Sequence, residues 1–148
     1  MKISEILTTD GIVLLSDTPS KRQLLQDLTT MAAAVSGIEA RTLFDVVLER
    51  ENLGSTGFGK GIALPHARIP GLKKVTGVFA KLKNAVDFGA ADNNPVDLVF
   101  LLLSPENSGA DHLTALAQIS RIIKDDTSCK KIRSASSTEE IYKILNAA

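Results

Sequence analysis

The segment Val96-Asp-Leu-Val-Phe-Leu-Leu-Leu103 is the strongest predicted strand of this sequence, and it decides the fold class. From Val99 onward every residue is apolar, without the alternation of a half-exposed strand, which is typical of a strand covered on both faces. Pro95 before the run and Ser104-Pro105 after it mark its ends. A strand buried on both faces needs layers above and below it, so the segment favours an α/β domain.

Shorter apolar runs and helical spacings alternate along the rest of the chain. The runs predict further strands at Ile12–Leu15, Ile62–Leu64 and Thr76–Leu82. Apolar residues at helical spacing predict helices from Ser20 to Gly37, over Ala40–Glu51, over about Asp111–Lys124, as a short piece near Cys129–Arg133, and from about Ser137 onward. This interleaving predicts one layered α/β sandwich over residues 1–148, with a mixed β-sheet flanked by helices.

The same spacing assigns a buried face to each helix. In the first long helix it predicts a core stripe that includes Leu24, Leu28 and Ala32. In the helix that begins near Asp111, the apolar residues expected to face the core are Leu113, Leu116, Ala117 and Ile123.

Composition excludes several classes of function. Seventeen Lys and Arg balance seventeen Asp and Glu, and with no Trp and one Tyr the sequence is not typical of a nucleic-acid-binding protein. No apolar stretch approaches the about 20 residues of a membrane-spanning helix, and the N-terminus lacks the pattern of a secretory signal. The single cysteine, Cys129, cannot form an internal disulfide. We therefore expect a cytoplasmic protein that does not insert into membranes.

A glycine-rich segment, Gly54-Ser-Thr-Gly-Phe-Gly-Lys-Gly61, carries the strongest functional signal. Glycines let the backbone turn sharply and bring N–H groups close to a ligand, and arrays of N–H groups bind anions such as phosphate. Arg50 precedes the segment and supplies a permanent planar cation, whereas His66, behind Pro65, can act as a nucleophile near neutral pH. The combination predicts phosphate chemistry centred on a histidine.

The segment also matches part of the nucleotide-binding P-loop, G-x-x-x-x-G-K, but its context does not fit. A P-loop needs Ser or Thr after the lysine to hold Mg²⁺, and here Gly61 follows Lys60. A P-loop also connects a strand to a following helix, whereas this segment follows a predicted helix and leads into Ile62-Ala-Leu-Pro65. Both observations argue against nucleotide hydrolysis.

The stretch Gly54-Ser-Thr-Gly-Phe-Gly-Lys-Gly-Ile-Ala-Leu-Pro-His-Ala-Arg68 resembles the active-site segment of the IIA components of the bacterial phosphotransferase system, in the fructose–mannitol branch. Two further segments agree with that family, Val86-Asp-Phe-Gly-Ala-Ala-Asp-Asn-Asn-Pro-Val-Asp-Leu-Val-Phe-Leu-Leu-Leu103 and His112-Leu-Thr-Ala-Leu-Ala-Gln-Ile-Ser-Arg121. The resemblance extends over nearly the whole chain. Within the branch, the chain is most similar to the nitrogen-regulatory IIA proteins.

The resemblance implies a phosphoryl carrier without a cofactor. It implies that His66 accepts the group from a histidine phosphocarrier protein of the HPr or NPr type, in a chain of transfer that starts at phosphoenolpyruvate. It also implies that Arg50 binds the phosphoryl group and that His112 lies beside His66. His112 falls in the first turn of a predicted helix, where the helix dipole disfavours a protonated imidazole. The residues expected to complete the phosphoryl-binding cradle are Ser55, Thr56, Gly57 and Gly59.

Each of the remaining residues near the segment has an alternative interpretation. Ser55 and Thr56 suit the capping of a turn as well as the binding of phosphate. Lys60 is either an attracting cation or a charge on the rim, and Arg68 is expected to be exposed and to face a partner. Phe58 either shields the mouth of the site or packs into the core. Three aspartates, Asp87, Asp92 and Asp97, are interpreted as turn and capping residues, and with only two histidines and one cysteine no metal site is predicted.

Three functions stay open at this point. In the first, the phosphorylated and unphosphorylated forms bind regulatory target proteins differently, as in nitrogen regulation. In the second, the protein is a sugar-specific IIA component that passes phosphate to a IIB partner during fructose or mannitol uptake. In the third, it is an interaction module that keeps the fold without transfer activity.

Overall fold

The sheet of the computed structural model, which describes residues 2–148, is built around the long strand that the apolar run predicts. This strand, β6, spans Val96–Pro105 and pairs antiparallel with β5, Thr76–Val86. On the far side of β5, the short strand β1, Ile12–Leu15, runs parallel to it and forms one edge of the sheet. All three strands lie where the sequence predicts them, and β5 and β6 extend further.

The other side of β6 holds two short strands in succession. First β3, Ile62–Ala63, and then β4, His66–Ile69, run parallel to β6, so that Ile62 lies opposite Leu98 and His66 opposite Leu102. Strand β2, Gly57–Gly59, pairs antiparallel with β3 and closes this edge. The sequence did not reveal β4, because four residues behind a proline show no clear period. The sheet is thus mixed, as predicted.

Six helices cover the two faces of the sheet in the described part of the chain. They are α1 Ile3–Ile6, α2 Lys21–Ser36, α3 Ala40–Leu53, α4 Ala110–Ile123, α5 Asp126–Ser134 and α6 Thr138–Ala147, and a 3₁₀ turn spans Thr9–Gly11. The predicted boundaries of α2 have a clear cause: Ser20 Oγ accepts a hydrogen bond from the Gln23 backbone N–H at 3.1 Å, and Gly37 ends the helix with φ 78°. No helix within residues 2–148 has the length and apolar character needed to cross a membrane.

The two faces of β6 belong to two separate hydrophobic cores. Val99, Leu101 and Leu103 pack with α2 and α3 on one face, whereas Leu98 and Phe100 pack with α1, α4, α5 and α6 on the other. Because successive strand residues point to opposite faces, a strand between two cores must be apolar at every position. This explains the absence of alternation in the sequence and confirms the layered α/β sandwich.

The buried face predicted for α4 is partly wrong. Ile123 is buried as predicted, but Leu113 is 64% exposed, and the helix also buries His112, Ala115, Ile119 and Ile122. The residues at 112, 115, 119 and 122 follow helical spacing, but the series begins with a histidine. Because a histidine is not apolar, the sequence pattern started the buried series at Leu113, one residue too late. The correction matters for function, because it turns the His112 side chain inward.

Candidate active site

His66 is the first residue of β4, directly after the break that Pro65 introduces between β3 and β4. Its Nδ1 lies 2.8 Å from the carbonyl oxygen of Leu64. Because a carbonyl can only accept, the neutral imidazole carries its proton on Nδ1 and donates it to Leu64. The other ring nitrogen, Nε2, then keeps a free lone pair on a half-buried side chain.

His112 lies next to His66 and comes from α4, which packs on one face of the sheet. The two ring centroids are 6.0 Å apart, with an angle of 47° between the ring planes. His112 is in the first turn of α4, is only 7% exposed, and its Nδ1 lies 2.6 Å from the hydroxyl of Ser104. Burial lowers the pKa of His112, and the charges of Arg68 and His66 lower it further. Both effects favour the neutral form of His112.

Arg50 completes the group at the end of α3. Its Nη1 donates to the carbonyl oxygen of Gly54 at 3.0 Å, which holds the guanidinium against the start of the glycine-rich segment. Two shallow clefts meet at His66 and Arg50. His112 and Arg68 line the first, and Ser55, Thr56, Gly57 and Phe58 line the second. The structure thus brings Arg50, His66 and His112 together from three different elements.

The hydroxyls of Ser55 and Thr56 are bonded within the protein. Thr56 is buried, and its Oγ1 and its backbone N–H donate to the two carboxylate oxygens of Glu51, at 2.5 and 3.2 Å. Ser55 Oγ donates to the Phe88 carbonyl at 3.0 Å and accepts from the Gly57 N–H at 3.1 Å. These contacts order the segment as a turn, and binding of a phosphoryl group by Ser55 or Thr56 stays a prediction.

Glu51 holds the glycine-rich segment in place, a role that the sequence did not reveal. Its side chain is 1% exposed, and Lys21 Nζ lies 2.9 Å from its Oε1. The same ammonium group donates to the Phe88 carbonyl at 3.2 Å, so one buried carboxylate ties α2, α3 and the glycine-rich segment together. The sequence holds a signal for it: Glu51 follows Phe44 and Val47 on the apolar stripe of α3, where an unpaired charge would be costly.

Residues 57–63 form a β-hairpin, in which β2 and β3 pair antiparallel. Lys60 and Gly61, between β2 and β3, have φ of 57° and 79°, as in a type I′ turn. Gly57 is required for a different reason, because a Cβ there would lie 2.8 Å from the Cβ of Ala90. Gly59 ends β2 and is buried beside Asp92.

Charged partners hold the turn of this hairpin in place. Asp92 Oδ2 accepts from the Lys60 N–H at 2.9 Å, a contact that lowers the pKa of Asp92. Arg133 Nη2 donates to the Lys60 carbonyl at 2.9 Å and pairs with Asp97 at 2.8 Å. Asp97 is therefore an ion-pair residue within β6, and its interpretation as a turn residue was wrong. Asp87 and Asp92 do lie in turns, where they accept from the N–H groups of Gly89 and Asn94.

The rim of the site is partly apolar and partly basic. Leu53, at the end of α3, is 82% exposed, and Leu113 stands on the first turn of α4 beside His112. Arg68 is exposed on β4. Phe58 is half-buried against the core that contains Leu98 and Phe100, and Lys124 Nζ lies 4.5 Å from its ring centroid. Within residues 2–148 no cluster of three His, Cys, Asp or Glu side chains is arranged to hold a metal ion.

Comparison with known proteins places this geometry in one family. Residues 5–148 match the family model described as phosphoenolpyruvate-dependent sugar phosphotransferase system, EIIA 2. The chain is 44% identical over 145 residues to a nitrogen regulatory protein of Bradyrhizobium diazoefficiens, with 98% of this chain and 95% of the relative covered. It is 32% identical over 151 residues to the fructose-specific EIIA component of the phosphotransferase system of Haloferax volcanii, with 98% and 97% covered.

A solved structure agrees with these matches. The crystal structure of the nitrogen regulatory protein IIA-Ntr from Neisseria meningitidis superposes with a TM-score of 0.90 at 35% identity, over 97% of this chain and 98% of that chain. Members of the family are phosphotransfer components that work with phosphocarrier and IIB partners. The chain therefore belongs to the EIIA 2 family of the phosphoenolpyruvate-dependent phosphotransferase system, with nitrogen regulatory proteins among its relatives.

Proposed function

We propose that this protein carries a phosphoryl group on Nε2 of His66. The observation that supports this most directly is the hydrogen bond from Nδ1–H to the Leu64 carbonyl, which leaves Nε2 as the nucleophilic nitrogen. In the transfer, the P–N bond of the partner's phosphohistidine breaks and a P–N bond to Nε2 forms. The electron pair returns to the partner's ring nitrogen, so the step itself moves no proton.

Arg50 and His112 are proposed to hold the transferred group. The three equatorial oxygens of a phosphoryl group in flight share its negative charge, and a guanidinium with five donors can bind them while one N–H stays on Gly54. His112 supplies a neutral donor from the other side. Ser55, Thr56 and Gly57 line the adjoining wall of the cleft, whereas Gly59 is buried beside Asp92 and is not among the lining residues. A direct bond from any of the four to the phosphoryl group stays a prediction.

The donor is proposed to be a histidine phosphocarrier protein in the cytoplasm, and the output is proposed to be regulatory. The similarity to nitrogen regulatory proteins, at 44% and 35% identity, favours this output. Phosphorylation adds about two negative charges at a rim that carries Arg68 and the exposed Leu53 and Leu113, so it changes how a target protein docks there. The similarity to a fructose-specific EIIA component supports the second candidate, transfer to a sugar-specific IIB.

Mass spectrometry tests the carrier function. Incubation with phosphoenolpyruvate and the general phosphocarriers should add one acid-labile phosphoryl group to the wild type and none to His66→Ala. His112→Ala is the matched control, since the chain has only two histidines and this variant should still become labelled, more slowly. A wild type that gains no mass would remove the carrier function and leave the interaction module.

A second assay separates the two outputs. Labelled protein is mixed with a fructose-type or mannitol-type IIB, and the phosphoryl group on each protein is followed in time. Retention of the label on this protein is expected for the regulatory form. Rapid passage to IIB would instead assign it to sugar uptake.

A further inference from the structure

Ser104 is a buried polar residue that the proposed transfer does not yet use. It lies near the end of β6 with no exposed surface, and its Oγ is 2.6 Å from Nδ1 of His112. The contact joins the central strand to the first turn of α4. It also engages the ring nitrogen of His112 that points into the protein, so that Nε2 is the nitrogen left for the cleft shared with His66 and Arg50.

The direction of this hydrogen bond follows from the number of protons. Among residues 2–148, the only side-chain hydrogen bond of Ser104 is the one to His112. If Nδ1 carried the imidazole proton, Ser104 would accept it, and the serine proton would be buried without an acceptor. If Ser104 donates, both groups are satisfied. The hydroxyl proton therefore points to Nδ1, and the proton of the neutral imidazole is on Nε2.

We propose that Ser104 is a positioning residue that fixes His112 as the Nε2–H tautomer, a neutral donor directed at the phosphoryl group on His66. The part that concerns the phosphoryl group rests on the proposed function. The two histidines then hold opposite tautomers: His66 has its proton on Nδ1 and a free Nε2, whereas His112 has a free Nδ1 and its proton on Nε2. One ring offers a lone pair to phosphorus, and the other offers an N–H to oxygen.

This pairing also opposes a second proton on His112. An imidazolium would need a proton on Nδ1, and the serine hydroxyl would then have to turn away from its one partner. Burial of His112 acts in the same direction. A neutral N–H binds a phosphoryl group less strongly than a cation does. By keeping His112 neutral, Ser104 lets His112 bind the phosphoryl group on His66 without preventing its transfer.

Nitrogen NMR of protein labelled with ¹⁵N-histidine tests the tautomer without any phosphotransfer. In the unphosphorylated protein, His112 should show a bare Nδ1 and a protonated Nε2, and His66 the reverse. The spectrum of His66→Ala assigns the two sets of signals. A proton on Nδ1 of His112 in the wild type would overturn the proposal, whether or not the protein carries phosphate.

Ser104→Ala tests the effect on transfer. The proton of His112 should spread over both ring nitrogens, and kcat for phosphoryl transfer should fall about 10-fold, as for other residues that orient an imidazole. KM for the phosphocarrier should not change, because the buried Ser104 cannot contact a partner. An unaltered tautomer, or a wild-type kcat, in Ser104→Ala would contradict the proposal.

Ser128→Ala is the matched control. It also removes a buried serine hydroxyl, one that donates to Asp125 at 2.6 Å in α5, away from the site. It should leave both the spectrum and kcat unchanged, and an equal fall in kcat would assign the effect to general destabilisation. A wild type with the predicted tautomer but no phosphorylation would remove the role in transfer alone, so the two failures are distinguishable.

Discussion

Two walls face each other across His66, and they are held in different ways. The hairpin wall, residues 55–61, is fixed by charged partners: Glu51 on one side, and Asp92 and Arg133 at the turn. The helical wall is the first turn of α4, residues 109–113. Its N-cap, Gly109, offers no side-chain cap, and among the described residues the bond between Ser104 and His112 is the only side-chain hydrogen bond of this turn.

The difference suggests a division of labour. Hydrogen bonds to charged groups are about twice as strong as neutral ones, so the hairpin wall should be the more rigid of the two. The helical wall carries the exposed Leu113. In the proposed transfer, its His112 donates to the phosphoryl group on His66. We expect the hairpin wall to preorganise the cradle and the helical wall to respond to the charge on His66.

The largest expected effect is on the hairpin wall. Glu51→Ala leaves Lys21 without its carboxylate and Thr56 with two buried donors unpaired. Removing one partner of a buried pair costs about 3 kcal/mol of unfolding free energy. Urea unfolding measures this loss of unfolding free energy. The control is Glu49→Ala, at an exposed position of the same helix, which should stay within about 0.5 kcal/mol of wild type. Equal losses in both variants would mean that the buried network does not hold this wall.

Arg50→Ala should separate chemistry from stability. The side chain makes one exposed hydrogen bond, to Gly54, so the unfolding free energy should change little. Loss of a cation that stabilises the charge in flight should lower the rate of transfer about 100-fold. The rate of phosphoryl transfer from the phosphocarrier is measured on a rapid-quench time course. The control is Arg41→Ala, which replaces an exposed arginine of the same helix and should transfer at the wild-type rate. A normal rate in Arg50→Ala would remove Arg50 from the site.

The sequence was sufficient where a long apolar pattern marks an element. Strand β6 could be predicted because both of its faces are buried and its apolar run is therefore unbroken, and the helices α2 and α3 because apolar residues recur at helical spacing over several turns. Strand β4 was missed because Pro65 separates it from β3 and only four residues remain. It pairs with β6 through tertiary contacts that no local pattern shows.

The candidate site was only partly predictable for a related reason. The residues His66 and Arg50 lie near one recognisable segment, so the sequence places them together. The residues that position them, Glu51 and Ser104, are polar groups in apolar surroundings, and their partners are distant in the chain. Their roles depend on which distant side chain completes each hydrogen bond, which spacing alone does not encode.

Lowering the pH should reduce the unfolding free energy through His112 in the helical wall. His112 has a lowered pKa in the folded protein, so between that value and the ordinary histidine pKa of about 6.5 the unfolded chain binds more protons. The contribution of neutral His112 to stability is complete above about pH 6.5, and it is lost as the pH falls through the pKa of His112 in the folded protein. Urea unfolding at about pH 7.5 and about pH 5.5 should show a loss in the wild type that is smaller in His112→Gln. An identical loss in both would show that His112 is not held neutral.

The smallest expected effect tests whether the hairpin wall is already rigid. Lys60 adopts a left-handed φ of 57°, which costs a non-glycine residue about 1 kcal/mol, and asparagine tolerates it better. The Lys60 ion pair with Asp126 is 3.6 Å long and exposed, so its loss should cost about 0–1 kcal/mol. Because these two effects oppose each other, Lys60→Asn should change the unfolding free energy by less than about 1 kcal/mol. The transfer rate should not change, because Asp92 and Arg133 bind the Lys60 backbone and not its side chain. A change in rate without a change in phosphocarrier affinity would mean that this turn still moves during transfer, and the contrast between a fixed hairpin and a responsive helix would fail.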